Sequence, residues 1–246
     1  MAWLRPVTDL RVRLPRLVVG LVLLGTGIAF MVAADLGLSP WSVLDQGISE
    51  HTGIPIGSVS ILVGAVVLAV WIPLREKPGL GTVLNILLIG ATIDLVLLVL
   101  DTPDGLLLRV AYLVIGVFLW GPGSGLYIGA GLGPGPRDGL MTGLAVRGIG
   151  SIRLVRTGLE LTALMAGWLL GGTVGIGTLA FAVTIGPNVQ LFLHRLTIDR
   201  GYQLPPPPPP APPPTPPPPP LKPPPPPLEE GAVEVDVVDD ISSGAM

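Results

Sequence analysis

The chain has no cysteine, two histidines, 5% aromatic residues and 13% charged residues in 246 positions. Without cysteine there is no disulfide framework, no thiolate metal site and no thiol nucleophile. His51 and His194 share no metal-ligand spacing, so no metal is expected. No nucleophile–base pair stands out, and none of the residues is assigned a catalytic role. The chain is therefore expected not to be an enzyme, to need no cofactor and to bind no nucleic acid. A soluble domain carries about 25% charged residues, so the scarcity of charge excludes that class. The net charge of −3 is uninformative, because the charges are segregated in loops and in the tail.

Hydrophobic sequence fills the space: 49% of residues are apolar and the mean hydropathy is +0.70. Apolar runs at 17–34, 58–74, 80–100, 107–130, 154–170 and 175–193 approach the length of about 20 residues that crosses a bilayer. The first run competes with a signal peptide, since Val32-Ala33-Ala34 resembles a cleavage site. Arg and Lys near span ends favour the cytoplasm. They occur at Arg5, Arg11, Arg13 and Arg16, at Arg75 and Lys77, at Arg137, Arg147, Arg153 and Arg156, and at Arg195 and Arg200. Segments 35–57, 101–106 and 171–175 have none. This alternation predicts six spans with both termini cytoplasmic.

The chain also repeats itself. Residues 36–48, LGLSPWSVLDQGI, and 132–144, LGPGPRDGLMTGL, share Leu, Gly, Pro, Leu and Gly at an offset of 96. The same offset pairs Gly79-Leu80-Gly81-Thr82 with Gly175-Ile176-Gly177-Thr178, and Ile89-Gly90 with Ile185-Gly186. It also pairs Arg13 with Arg109, and Gly20, Gly25 and Gly27 with Gly116, Gly121 and Gly123. Such a register implies an internal duplication. It also argues against cleavage of the first run, whose counterpart at 113–130 lies mid-chain. Each copy holds three spans, an odd number, so the second must enter the membrane from the opposite side. That is an inverted-topology repeat, common among secondary transporters.

Gly121, Gly125, Gly129 and Gly133 recur every fourth residue, with counterparts Gly25, Ala29, Ala33 and Gly37. Small residues at this spacing let helices approach closely. They predict span one packed against span four, with a glycine-lined substrate path as the other reading. Ser39-Pro40 and Gly135-Pro136 each read as a helix cap followed by proline at the first helical position. The helices they start, 41–50 and 137–147, are too short to span and are expected to be re-entrant or interfacial. Helix starts attract anions, and Arg137 and Asp138 at the second start sharpen that idea. The alternative is a cytoplasmic loop in which Asp138 neutralises Arg137 and caps the helix. Polar residues inside spans are expensive and mark function. Glu160 either couples protons or pairs with Arg156 at i,i+4. Asp94 has no in-helix cation, so it either snorkels outward or faces a cavity or another span.

The stretches LGLSPWSVLDQGIS, PGLGTVLNILLIG, GLYIGAGLGPGPRDGLMTGL, SIRLVRTGLEL and GWLLGGTVGIGT together resemble the bacterial YczE/YyaS/YitT group of integral membrane proteins, nearest its YczE-like branch. The similarity covers about residues 15–196, with GPGPRDG its most specific piece. It implies a bacterial inner-membrane protein and supplies neither a function nor catalytic residues. Residues 203–228 are nearly all proline and are expected to form a polyproline II rod. The acidic residues 229–246 should be disordered. The tail reads as a low-complexity extension or a docking site for a proline-recognising cytoplasmic partner.

The expected architecture is an all-α polytopic transmembrane bundle of six spans in two inverted three-helix repeats, with a disordered Pro-rich tail. Its segments are a basic N-terminus at 1–16, repeat one at 17–100, a linker at 101–108, repeat two at 109–196 and the tail at 197–246. The lipid bilayer is one partner; a small, anionic solute is the other if the chain is a secondary transporter. The substrate-binding candidates are then Arg137, Asp138, Gly135, Ser39, Arg153, Arg156, Glu160 and Asp94. The competing class is a non-transporting membrane scaffold or accessory protein. The topology is directly testable. Single cysteines placed at Asp104 should be labelled by an impermeant maleimide from outside, and those at Lys77 and Gly148 only from inside. One residue on the wrong face defeats the six-span arrangement.

Overall fold

The computed structural model describes residues 10–197, which are helical without strands. The tail at 203–246 lies outside the described residues. Eight helices follow in order: α1 Leu10–Ala34, α2 Pro40–Thr52, α3 Ile56–Leu74, α4 Leu80–Leu97, α5 Leu106–Gly129, α6 Pro136–Val146, α7 Ile152–Leu169 and α8 Ile176–Leu196. Subtracting 96 from the starts of α5, α6, α7 and α8 gives 10, 40, 56 and 80, the starts of α1 to α4. Five helices, α1, α3, α4, α5 and α8, are long and apolar enough to cross a membrane. α7 has 18 residues but carries Arg153, Arg156 and Glu160. α1 begins well before residue 17, so Arg11, Arg13 and Arg16 belong to its first turns rather than to a separate segment.

The bundle is organised around the crossing of α1 and α5. A Cβ on Gly20 would meet the Gly123 carbonyl, and one on Gly27 would lie 2.8 Å from the Gly116 carbonyl. Pairing 20 with 123 and 27 with 116 means the helices run antiparallel. Backbones approach this closely only where side chains are absent, and dispersion then replaces the hydrophobic drive that lipid does not supply. The Gly121 face lies elsewhere. Gly121, Gly125 and Gly129 rest against Asn188, Phe192 and Leu196 of α8, and Gly25 against Ile89 and Thr92 of α4. The expected pair of helices does meet, but through Gly20, Gly27, Gly116 and Gly123. A four-residue spacing identifies a groove without identifying its occupant. Ala29 is fully buried in the same core.

A second crossing interlocks the halves. Gly81 N–H donates to the Leu132 carbonyl at 2.8 Å, and Gly177 N–H to the Leu36 carbonyl at 2.7 Å. The repeated LG turns therefore hold the starts of α4 and α8, each in the opposite half. Gly37 and Gly133 adopt φ of 112° and 127°, open to glycine and strained for other residues. Gly133 lies against Gly79 and Thr82 at the start of α4. Backbone polar groups buried in an apolar bundle must find partners. Pro122 leaves the Phe118 carbonyl without its helical donor. Asn188 Nδ2 lies 2.8 Å from the Val117 carbonyl and 3.3 Å from that of Phe118. Arg109 lies inside α5 and pairs with Asp35 at 3.4 Å, which neutralises a cation on the side otherwise poor in Arg and Lys.

Glycine substitutions should separate crowded from open positions. Gly27→Val or Gly116→Val should lose folded protein in the membrane, since overpacking costs about 1–3 kcal/mol before backbone displacement is counted. Gly158 has nothing within 4 Å of its Cβ position, so Gly158→Ala should keep wild-type yield and an equal or higher Tm in detergent. Equal melting of all three variants would show that the crossing does not depend on close approach.

Candidate functional site

The two short helices start beside each other. Ser39 caps α2, accepting from Ser42 N–H at 3.4 Å, and Pro40 opens the first turn. Gly135 caps α6 with Pro136 after it. Trp71, at the end of α3, donates its indole N–H to the Pro136 carbonyl at 2.9 Å and packs its ring on Gly139. The start of α6 is thereby pinned against α3. Arg137 stacks on Trp41, its guanidinium carbon 4.6 Å from the ring centroid. These residues are 96 apart, so each touches its own counterpart in the duplication.

Arg137 Nη2 lies 3.7 Å from Asp45 Oδ2. The carboxylate side chain is 4% exposed, and the guanidinium is half-buried. That separation exceeds the roughly 2.7–2.9 Å of a tight charge-assisted bond, so Arg137 retains donors for another acceptor. Asp45 Oδ1 is buried with no hydrogen-bond partner in range. Burial pushes the Asp45 carboxyl up and the Arg137 guanidinium down, and each is the main charge holding the other ionised. Ser60 on α3 also favours the charged form of Asp45.

Asp138 follows Arg137 and is exposed at the start of α6. Desolvation raises its pKa above the ordinary carboxylate value, against the opposing pull of Arg156, Gly135 N–H, Arg137 and the Tyr127 hydroxyl. A Cβ on Gly135 would fall 2.9 Å from Tyr127 Oη and 3.1 Å from Asp138 Oδ2, with Asn85 Nδ2 at 3.7 Å. The absence of a side chain at Gly135 thus lets Tyr127 and Asp138 close against the backbone at the start of α6. Arg156 and Glu160 pair at 3.0 Å on α7 and are exposed. Their charges still act on Asp138 and Arg137.

Of the eight substrate-binding candidates, Arg137, Asp138, Gly135 and Ser39 gather at the paired helix starts. Arg156 and Glu160 border them. Arg153 is exposed in the first turn of α7. Asp94 lies apart, accepting from Gly57 N–H at 2.6 Å and from the Ser58 hydroxyl at 2.7 Å. It caps α3 from another helix, a partnership that local sequence does not reveal. Sequence reasoning missed Asp45 as a member of the site. Its trace was an acid placed among Trp41, Val43, Leu44 and Ile48 in a segment otherwise partly apolar. Among the described residues no group of His, Cys, Asp and Glu could hold a metal ion.

Comparison with known proteins adds kinship. The chain is 44% identical over 178 residues to an uncharacterised protein of Haemophilus influenzae, covering 72% of this chain and 82% of that one. It is 36% identical over 169 residues to the uncharacterised membrane protein YczE of Bacillus subtilis, covering 68% and 79%. Similarity to the uncharacterised protein YyaS of the same organism is 29% over 181 residues, covering 71% and 89%. No solved structure matches the chain. Kinship to a membrane protein and five apolar helices of spanning length make this a multi-pass membrane protein. Residues 12–194 match the model of the family of unknown function DUF6198, and the chain belongs to that family.

Proposed function

We propose that the chain is a secondary transporter of a bacterial inner membrane, carrying a small anionic solute and catalysing no chemical change. The observation that carries this reading is the meeting of two short helix starts at Arg137 and Trp41, a residue and its own duplicate. Shared helix starts at an offset of 96 and the antiparallel α1–α5 crossing support an inverted repeat with a two-fold axis through that contact. α7 is then the sixth span, its Arg156–Glu160 pair neutralising two of its charges, and both termini are cytoplasmic. Discontinuous helices at such an axis present N–H groups to anions, as in other inverted-repeat carriers. Arg137 supplies the fork for a carboxylate or phosphate.

Asp138 makes the binding pH-dependent. Its pKa is raised, so below that value it is neutral and leaves the field of Arg137 to the solute. Above it, the carboxylate competes for the same guanidinium. Uptake should therefore decline as pH rises through the raised value, which is the behaviour of proton–anion symport.

Reconstituted protein should be screened for thermal stabilisation by inorganic phosphate and a panel of small carboxylates, then assayed for uptake of whichever binds. Arg137→Lys should insert and melt like wild type but lose tenfold or more in affinity, about 1.4 kcal/mol. Gly135→Ala should do comparable damage by pushing Tyr127 and Asp138 away from the start of α6. Full activity in Arg137→Lys would assign the contact to structure and return the protein to the scaffold class. Asp138→Asn should flatten the pH profile of uptake; an unchanged profile removes Asp138 from the coupling.

A further inference from the structure

The two halves are not packed alike. α3 lies along α4 with Gly57 against the Gly90 carbonyl, Gly90 against Ile61, and Gly64 against Ile86, whose Cβ lies 3.6 Å from a Cβ built on Gly64. Asp94 of α4 then fastens the start of α3 through Gly57 N–H and the Ser58 hydroxyl. Adding 96 gives the counterparts: Arg153, Gly186, Thr157, Glu160, Ala182 and Gln190. α7 and α8 are not packed along each other. Gly186 has nothing within 4 Å of its Cβ position, whereas its counterpart Gly90 meets the Gly57 carbonyl and Ile61. The helices converge only near the 170–175 turn, where Leu164 and Ile185 pack on the cluster containing Phe181 and Met31. They are therefore parted toward the start of α7 and the end of α8. Arg156 and Glu160 are solvent- or lipid-accessible on α7, with Asp138 and Arg137 within their electrostatic reach.

We propose that this is one of two exchanging states, in which α3–α4 is packed while α7–α8 is parted, and that Asp94 is the latch holding the former closed. The proposal rests on the inverted-repeat transport reading and adds to it a direction: here the cleft opens to the cytoplasm and is shut outside. In the second state the halves trade packings. Gly186 meets Thr157, Gln190 reaches the N–H groups at the start of α7, and the Asp94 contacts open. The two latches differ in strength. A carboxylate accepting from N–H and O–H is about twice as strong as a neutral amide acceptor. Arg153, standing where the other half has Gly57, also keeps the second packing looser. The inward-facing state is therefore the resting one, and Asp94 acts through the position of α3 rather than by touching solute.

The cysteine-free chain allows this to be tested in native membranes by two cysteine pairs and a short thiol cross-linker. Gly64→Cys with Ile86→Cys reports the packed α3–α4, at a separation suited to linkage. Thr157→Cys with Gly186→Cys reports a packed α7–α8 and replaces residues with room around them. The first pair should link rapidly. The second should link slowly, and roughly tenfold faster when Asp94→Asn is added, the size expected from losing a charge-assisted contact made in one state only. Asp94→Asn should also slow the first pair. The proposal is overturned if the second pair never links in either background while the first does, if its rate ignores Asp94→Asn, or if the first pair fails to link. Should Asp94→Asn not accumulate, linkage of the second pair in the otherwise native chain decides alone: slow linkage supports exchange, none refutes it. Uptake is not part of the readout. A chain that exchanges but carries no anion refutes the transport reading alone, and one that carries an anion without linking at 157 and 186 refutes this one.

Discussion

Close backbone contact between α1 and α5 is the constraint from which the rest of the bundle follows. In lipid there is no hydrophobic gain from pressing two apolar helices together, so contact must come from fit. Gly20, Gly27, Gly116 and Gly123 provide that fit over about two turns. Because the contact is antiparallel, the helices after α1 and after α5 leave it toward opposite ends. α4 and α8 then pack on the remaining small faces, Gly25 for one and Gly121, Gly125 and Gly129 for the other.

That arrangement forces each broken segment to seek partners across the molecule. The turn after α1 reaches the start of α8, and the turn after α5 reaches the start of α4. Helix ends left open in an apolar setting are costly. Arg16 donates to the Leu196 carbonyl at 3.4 Å, and Arg147 to the carbonyls of Leu74 and Gly143. Several basic residues that a topology count treats as loop charges thus also cap carbonyl ends. These contacts help close the bundle at the ends of its helices.

The sequence shows the duplication plainly because the residues that recur are the ones in contact. LG at 36 and 132 and the Gly-x-Gly-Thr stretches at 79 and 175 bond to one another, so both had to persist. Proline after a cap was enough to place α2 and α6. What local pattern could not supply was partnership in three dimensions. Asp94 looked isolated because its partners, Gly57 and Ser58, lie on another helix. Asp45 did not stand out because its partner, Arg137, is 92 residues away. The glycine stripe on α5 was visible, but its occupant was α8 rather than α1, since spacing describes one surface and not the pair.

Trp41 against Arg137 has a consequence for how such a molecule can arise. In a symmetric dimer of identical half-chains, a residue on the two-fold axis meets itself. Arginine there would face arginine, and tryptophan would face tryptophan. A cation laid on an aromatic ring at that point needs two different residues at equivalent positions, so it requires a single chain whose halves differ there. Asp45 is equally one-sided, since its counterpart is Met141. A half-chain paired with an identical copy of itself would therefore lack this contact.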